Sequence, residues 1–129
     1  MLIVHTRVLP SPIQGLGLFA DEDIAEGQPV WRFELKFDQL IDIDDVRGMP
    51  AAFRHFFDTY CYESHDFPGR YVLGCDHAKF INHSEDPNIV ARGTTSYAAR
   101  AIKAGEEITT DYRASLANWP GFDAPPVPT

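Results

Sequence analysis

Cysteine, positive charge and long apolar runs are all scarce in this chain, and each shortage removes a class of function. Cys61 and Cys75 are the only cysteines. They form no Cys-x-x-Cys pair, which argues against a zinc cluster or other metal centre, and two thiols are too few for a disulfide scaffold. Both are read as reduced, mostly buried thiols, the common state of free cysteine. Lys and Arg number 11 against 19 Asp and Glu, a formal charge of −8. That balance argues against direct nucleic-acid binding, which calls for a basic stripe. It suits a basic protein or peptide partner drawn in by long-range attraction, although acidity also simply keeps many proteins dispersed. No run approaches the roughly 18 consecutive apolar residues of a membrane span, so no membrane partner is expected. The start, Met1 to Arg7, lacks the basic region, apolar run and cleavage site of a signal peptide. A cytoplasmic protein is the expectation, with export or nuclear targeting in a host left open.

What is present is one domain's worth of chain: 129 residues, 44% of them apolar, enough for a single core. Leu2 to Leu9 reads as a strand ending at Pro10, followed by a loop through Pro10-Ser11-Pro12, Gly15 and Gly17. Further strands are expected at Gly17 to Ala20, Pro29 to Leu35, Arg70 to Gly74, Asn88 to Arg92, Ser96 to Ile102 and Ile108 to Tyr112. One helix is expected after Pro50, whose missing N–H is not needed at a first helical position. Its Phe53, Phe56, Phe57 and Tyr60 recur at helical spacing and read as a stripe packed into the core. The acidic run from Asp38 to Asp45 reads as a solvated face. Asn118 to Thr129 holds four of the ten prolines and is expected to lack regular structure. Many short strands and one helix predict a mainly β, α+β domain with no internal repeat or linker.

Three segments carry the chemistry, and each has an ordinary structural reading beside the functional one. In Gly15-Leu16-Gly17-Leu18 the glycines allow backbone to approach a ligand, or merely turn a loop. Asn82-His83-Ser84-Glu85-Asp86-Pro87-Asn88 offers side chains that hydrogen-bond adenine edges, or a capped turn. Gly105-Glu106-Glu107-Ile108-Thr109-Thr110-Asp111-Tyr112 puts a tyrosine at the end of a strand, where packing alone is the usual role.

Taken in order, these segments resemble the SET-domain family of protein lysine methyltransferases, from about Ser11 to Tyr112. The resemblance implies a single SET domain with a core of about residues 11–112 and a short tail, 113–129. It also implies the family's β-clip of small curled sheets, with one helix in the insert and the C-terminal segment forming a pseudoknot, against the general avoidance of threading. The implied cofactor is S-adenosyl-L-methionine, leaving as S-adenosyl-L-homocysteine, and the implied substrate is a lysine of a basic protein, histone-like or ribosomal. Backbone around Leu16, Gly17 and Leu18 would contact the cofactor, Asn82 and His83 would hold its adenosine portion, and Tyr112 matches the catalytic tyrosine. Tyr60 or Tyr62 would stand near a further aromatic contact. The other reading left open is a catalytically weak module of the same fold that binds a basic segment.

Two departures from the family pattern stand out. Many histone-directed members carry a cysteine-rich, zinc-binding segment after the core, whereas this tail has no cysteine; Trp119 and Phe122 are candidates to cover the adenine or pack on the helix. Thr110 stands two residues before the tyrosine, where many members have Phe or Tyr, and predicts a roomier lysine channel. The brevity of the chain is similar to compact viral and bacterial members, some of which form homodimers.

Overall fold

The computed structural model describes residues 1–115 and is built mostly of short strands. Strand β1 (Thr6–Pro10) turns into β2 (Leu16–Ala20), and the two pair antiparallel with Val8 opposite Leu18. Gly15 closes the turn at φ 49°, a left-handed conformation that suits a residue without Cβ, and its carbonyl accepts from Ser11 N–H at 2.8 Å. Strand β3 (Pro29–Arg32) belongs to a second sheet, where it pairs with β9 (Thr95–Ala98), which pairs in turn with β8 (Ile89–Arg92).

Between β3 and the Asn82 segment lies an insert with its own sheet. It is ordered β4 (Gln39–Asp42), β6 (Arg70–Leu73), β5 (Tyr62–Glu63), and carries helices α1 (Ile43–Arg47) and α2 (Ala51–Tyr60). The chain then makes a 3-10 turn at His77–Phe80 and reaches β7 (Asn82–His83). Last come β10 (Glu107–Thr110) and the one-turn helix α3 (Tyr112–Ser115).

The placement of β10 organises the molecule. It runs antiparallel to β2, with Ile108 opposite Leu18, and parallel to β7, with Thr109 opposite Asn82 and Thr110 opposite His83. A late strand is thus laid between the first hairpin and the Asn-His-Ser segment. Alternation along β10 turns Ile108 into a core of Leu18, Ala20, Ile24, Val30, Ile89, Ala98 and Ile102. Full burial of a side chain such as Leu18, Ile102 or Ile108 contributes about 1.5–3 kcal/mol.

Several expectations need correction. There are three α-helices among the described residues rather than one, and Tyr112 opens the last of them instead of ending a strand. Strands β1, β3 and β9 are shorter than the apolar runs that suggested them, and β4, β5 and β7 add to those expected. The aromatic stripe of α2 is not core: Phe53 is 55% exposed and Phe56 40%, and α2 has no buried residue. Its rings touch one another and their neighbours, Phe56 against Tyr60 and Phe57 stacked on Tyr71. Cys61 is buried, which pushes its thiol up to about 12, but Cys75 is exposed.

The acidic run is not uniformly solvated either. The Asp38 side chain is fully buried, and it accepts hydrogen bonds from the Met1 ammonium (2.9 Å), Glu34 N–H (2.8 Å) and Cys75 N–H (3.0 Å). Such burial is tolerated because charged and neutral donors surround the side chain. Asp38 thereby ties the start of the chain to the insert.

Candidate functional site

The candidate residues converge where β2, β7, β10 and α3 meet. Asn82 sits on β7, and its Nδ2 lies 3.2 Å from Gln14 O, 3.1 Å from Leu16 O and 3.0 Å from Glu107 Oε2. All three neighbours are acceptors, so this end of the side chain must be the NH2 group. Both amide hydrogens are therefore committed inside the protein. Among the described residues, no donor reaches Asn82 Oδ1, which can serve a donor on a ligand.

Glu107 stands at the head of β10 and collects the other half of this network. Both oxygens of its carboxylate accept from Ser11 Oγ, at 2.8 and 2.9 Å. Ser11 Oγ in turn accepts from Ile13 N–H at 3.0 Å, which orders the loop leading to Gly15. Gly17 is opposite: a Cβ there would lie 2.6 Å from Glu107 Oε2 and 3.0 Å from Ser11 Cβ. The carboxylate occupies the space a side chain would need, so any larger residue at 17 would have to displace it from this position.

His83 is buried and uses its ring within the protein. Its Nδ1 accepts from Tyr112 N–H at 3.1 Å and lies 3.7 Å from Asp111 Oδ1. The His83 and Tyr112 rings are 5.4 Å apart and tilted by 53°. The Tyr112 hydroxyl donates to Ile81 O, just before Asn82. Burial first, and the Glu107 charge second, push the phenol up to about 12. Tyr112 therefore keeps its proton at neutral pH and is a poor base.

Asn88 closes the network from the other side. The side chain is buried; Nδ2 donates to Glu107 O at 2.8 Å and Oδ1 accepts from Thr109 N–H at 2.8 Å. One amide thus pairs with β10 as a neighbouring strand would. The next turn is held by Asp111, which accepts from Arg113 N–H (2.9 Å), Nε (3.0 Å) and Nη2 (2.8 Å). These bonds hold its carboxyl down to about 2.

Leu16, Gly17, Asn82, His83, Thr110 and Tyr112 are brought together in this way. Leu18 is adjacent, but its side chain is fully in the core, so it presents only backbone. Tyr60 lies at the edge, with its ring 5.9 Å from Phe80, one residue before Ile81. Tyr62 is placed differently: it is largely buried in the insert, where burial and the nearby Asp38 and Asp66 push its phenol up. Trp119 and Phe122 lie outside the described residues. Sequence reasoning assigned no role to Ser11, Asn88 or Glu107; only the positions of Asn88 and Glu107 inside the two C-terminal motifs hinted at them. Two surface hollows, of about 410 Å³ beside Val90, Arg92 and Tyr97 and about 230 Å³ beside Phe37, Phe56 and Cys75, lie away from Asn82 and Tyr112. No group of three or more His, Cys, Asp or Glu arranged for a metal occurs among the described residues.

Comparison with known proteins places this geometry in context. The family model described as "SET domain" matches residues 15–113. Over 126 residues the chain is 30% identical to a Candida albicans histone-lysine N-methyltransferase, H3 lysine-36 specific, covering 82% of this chain and 14% of that protein. Its structure is similar to ctPRC2 in an autoinhibited conformation bound to S-adenosylmethionine, with a TM-score of 0.68 and 25% identity over 89% of this chain and 16% of that one. The crystal structure of the Chaetomium thermophilum polycomb repressive complex 2 gives 0.66 and 27% over the same shares. The chain thus spans about a seventh of the length of these relatives.

Proposed function

This chain belongs to the SET-domain family, and from that premise we propose that it is a protein-lysine N-methyltransferase using S-adenosyl-L-methionine. The observation that carries the reading is the meeting of Asn82, the Leu16-Gly17 backbone and a protonated Tyr112 across one strand, β10. The site suits the cofactor: Gly17 presents bare backbone and Asn82 Oδ1 is an acceptor for a cationic or hydroxyl donor. When bound, S-adenosyl-L-methionine supplies a methyl group carried on a sulfonium. Leu16, Gly17 and Asn82 would hold it, with His83 contributing backbone, since its ring is engaged with Tyr112.

Tyr112 orients and stabilises rather than abstracting a proton, because its phenol is pushed up to about 12. The acceptor lysine, near 10.4 when unperturbed, must lose its proton to solvent before it can attack. Folding raises the tyrosine above its ordinary 10.0. The neutral phenol thus contributes stability that is fully present below pH 10 and lost as the pH rises through about 12. The rate of methyl transfer is expected to climb from pH 7 to 9 as the substrate lysine deprotonates, with no falling limb from Tyr112 in that range. A pH–rate profile checks this, and a fall matching phenol ionisation below pH 9 would refute it.

A basic protein is the proposed substrate, histone-like or ribosomal. Support comes from the net charge of −8 and from a relative that acts on histone H3. The test is incubation of labelled cofactor with a panel of basic proteins, followed by mass spectrometry of modified peptides. Lysine-borne label is expected. Thr110 leaves a smaller side chain than the aromatic of many relatives, so products beyond monomethyl-lysine are expected at long times; strict monomethylation would contradict a roomy channel.

A further inference from the structure

We propose that Glu107 is a positioning residue of this site: its carboxylate fixes the Asn82 amide in one orientation and holds it against the Leu16 carbonyl, so that hairpin and Asn-His-Ser segment form one rigid cradle. The inference rests on the cofactor reading above and extends it to a residue that never need touch the ligand.

Hydrogen-bond arithmetic makes the case. The Asn82 NH2 group has two hydrogens and three acceptors around it, of which Glu107 Oε2 is the nearest and the only charged one. Bonds to an ionised acceptor are roughly twice as strong as neutral ones, so the carboxylate dominates the choice. With Glu107 present, a flipped amide would set Oδ1 against three acceptors, a repulsive arrangement that leaves the NH2 facing outward. The same carboxylate binds Ser11 Oγ and fills the space over Gly17. One side chain therefore bonds both the loop before β2 and β7, and packs over Gly17 of β2. Such a support is needed because β7 is only two residues long and β10 pairs with it at just two positions. Its neighbour Glu106 cannot substitute, since alternation along the chain turns it to solvent.

Glu107→Gln in the full chain tests the proposal. Glutamine keeps the size of the side chain but removes the charge and places a donor among the donors of Ser11 and Asn82. Two readouts separate positioning from general structure. The side-chain NH2 signals of Asn82, read by NMR without ligand, should lose their protection from solvent exchange at least about tenfold. Affinity for S-adenosyl-L-methionine by titration should fall about tenfold, with KM for cofactor rising and kcat at saturation within about threefold of wild type. A folded variant that keeps either the Asn82 protection or the affinity overturns the proposal. If Glu107→Gln does not fold, Ser11→Ala removes one donor to the same carboxylate from an outer loop; about threefold weaker binding is expected, and unchanged binding overturns it. A wild-type protein that binds no cofactor defeats the functional reading instead, while the Asn82 signals still decide the orientation.

Discussion

Tyr112→Phe is expected to lower kcat for methyl transfer about 10²–10³-fold while leaving cofactor affinity within about threefold of wild type. The substitution is nearly a single-atom deletion. Phenylalanine retains the ring that packs 5.4 Å from His83 and the backbone N–H that binds His83 Nδ1. It loses only the hydroxyl that donates to Ile81 O. The cradle formed by Leu16, Gly17, Asn82 and Glu107 involves none of the removed atoms, so binding should survive. Stability should fall by no more than about 0.5–1.5 kcal/mol, the net worth of an ordinary hydrogen bond. Steady-state kinetics checks the split. An unchanged kcat would remove Tyr112 from the reaction, and an equal loss of affinity would make its role structural.

Asn88→Ala is expected to destabilise the fold by about 2–6 kcal/mol, since it orphans the buried Thr109 N–H and the partly buried Glu107 O at about 1–3 kcal/mol each. The Asn88 residue is 3% exposed, and its amide satisfies both Glu107 O and Thr109 N–H. Alanine leaves both groups without this partner, and the Thr109 N–H is buried. Because both lie on β10, the damage falls on the strand that carries Glu107 and leads to Tyr112. Asn88→Asp should fare poorly too: it can still accept from Thr109 N–H but sets a carboxylate against the Glu107 carbonyl. Urea denaturation measures the loss, and a change below about 1 kcal/mol for Asn88→Ala would show that β10 is held mainly by its strand neighbours.

The parts of the site that were legible in the sequence are those whose residue types are themselves diagnostic. Asn82-His83, the glycines before Leu18 and Tyr112 could be marked because three such segments rarely fall in this order by chance. What the sequence could not reveal was partnership across distance. Glu106 and Glu107 are equivalent in one dimension; only the register of β10 against β2 decides which one meets Ser11 and Asn82. Asp38 looked like one acid among several because its partner, the Met1 ammonium, is 37 positions away. His83 could be marked by its residue type, but not the bond its ring accepts from Tyr112 N–H, 29 positions away. The stripe on α2 misled for a different reason. A period of 3.6 places Phe53, Phe56, Phe57 and Tyr60 on one face but says nothing of what covers that face, and the described residues leave Phe53 and Phe56 exposed. The overall class was accessible because short strands punctuated by turns permit little else.

Isothermal titration of S-adenosyl-L-methionine into the full chain tests the central claim most directly. The account predicts one cofactor per chain, with binding greatly weakened in Asn82→Ala and retained in Tyr112→Phe. Absence of measurable heat in the wild-type protein at millimolar cofactor, or equal binding in Asn82→Ala, would contradict it.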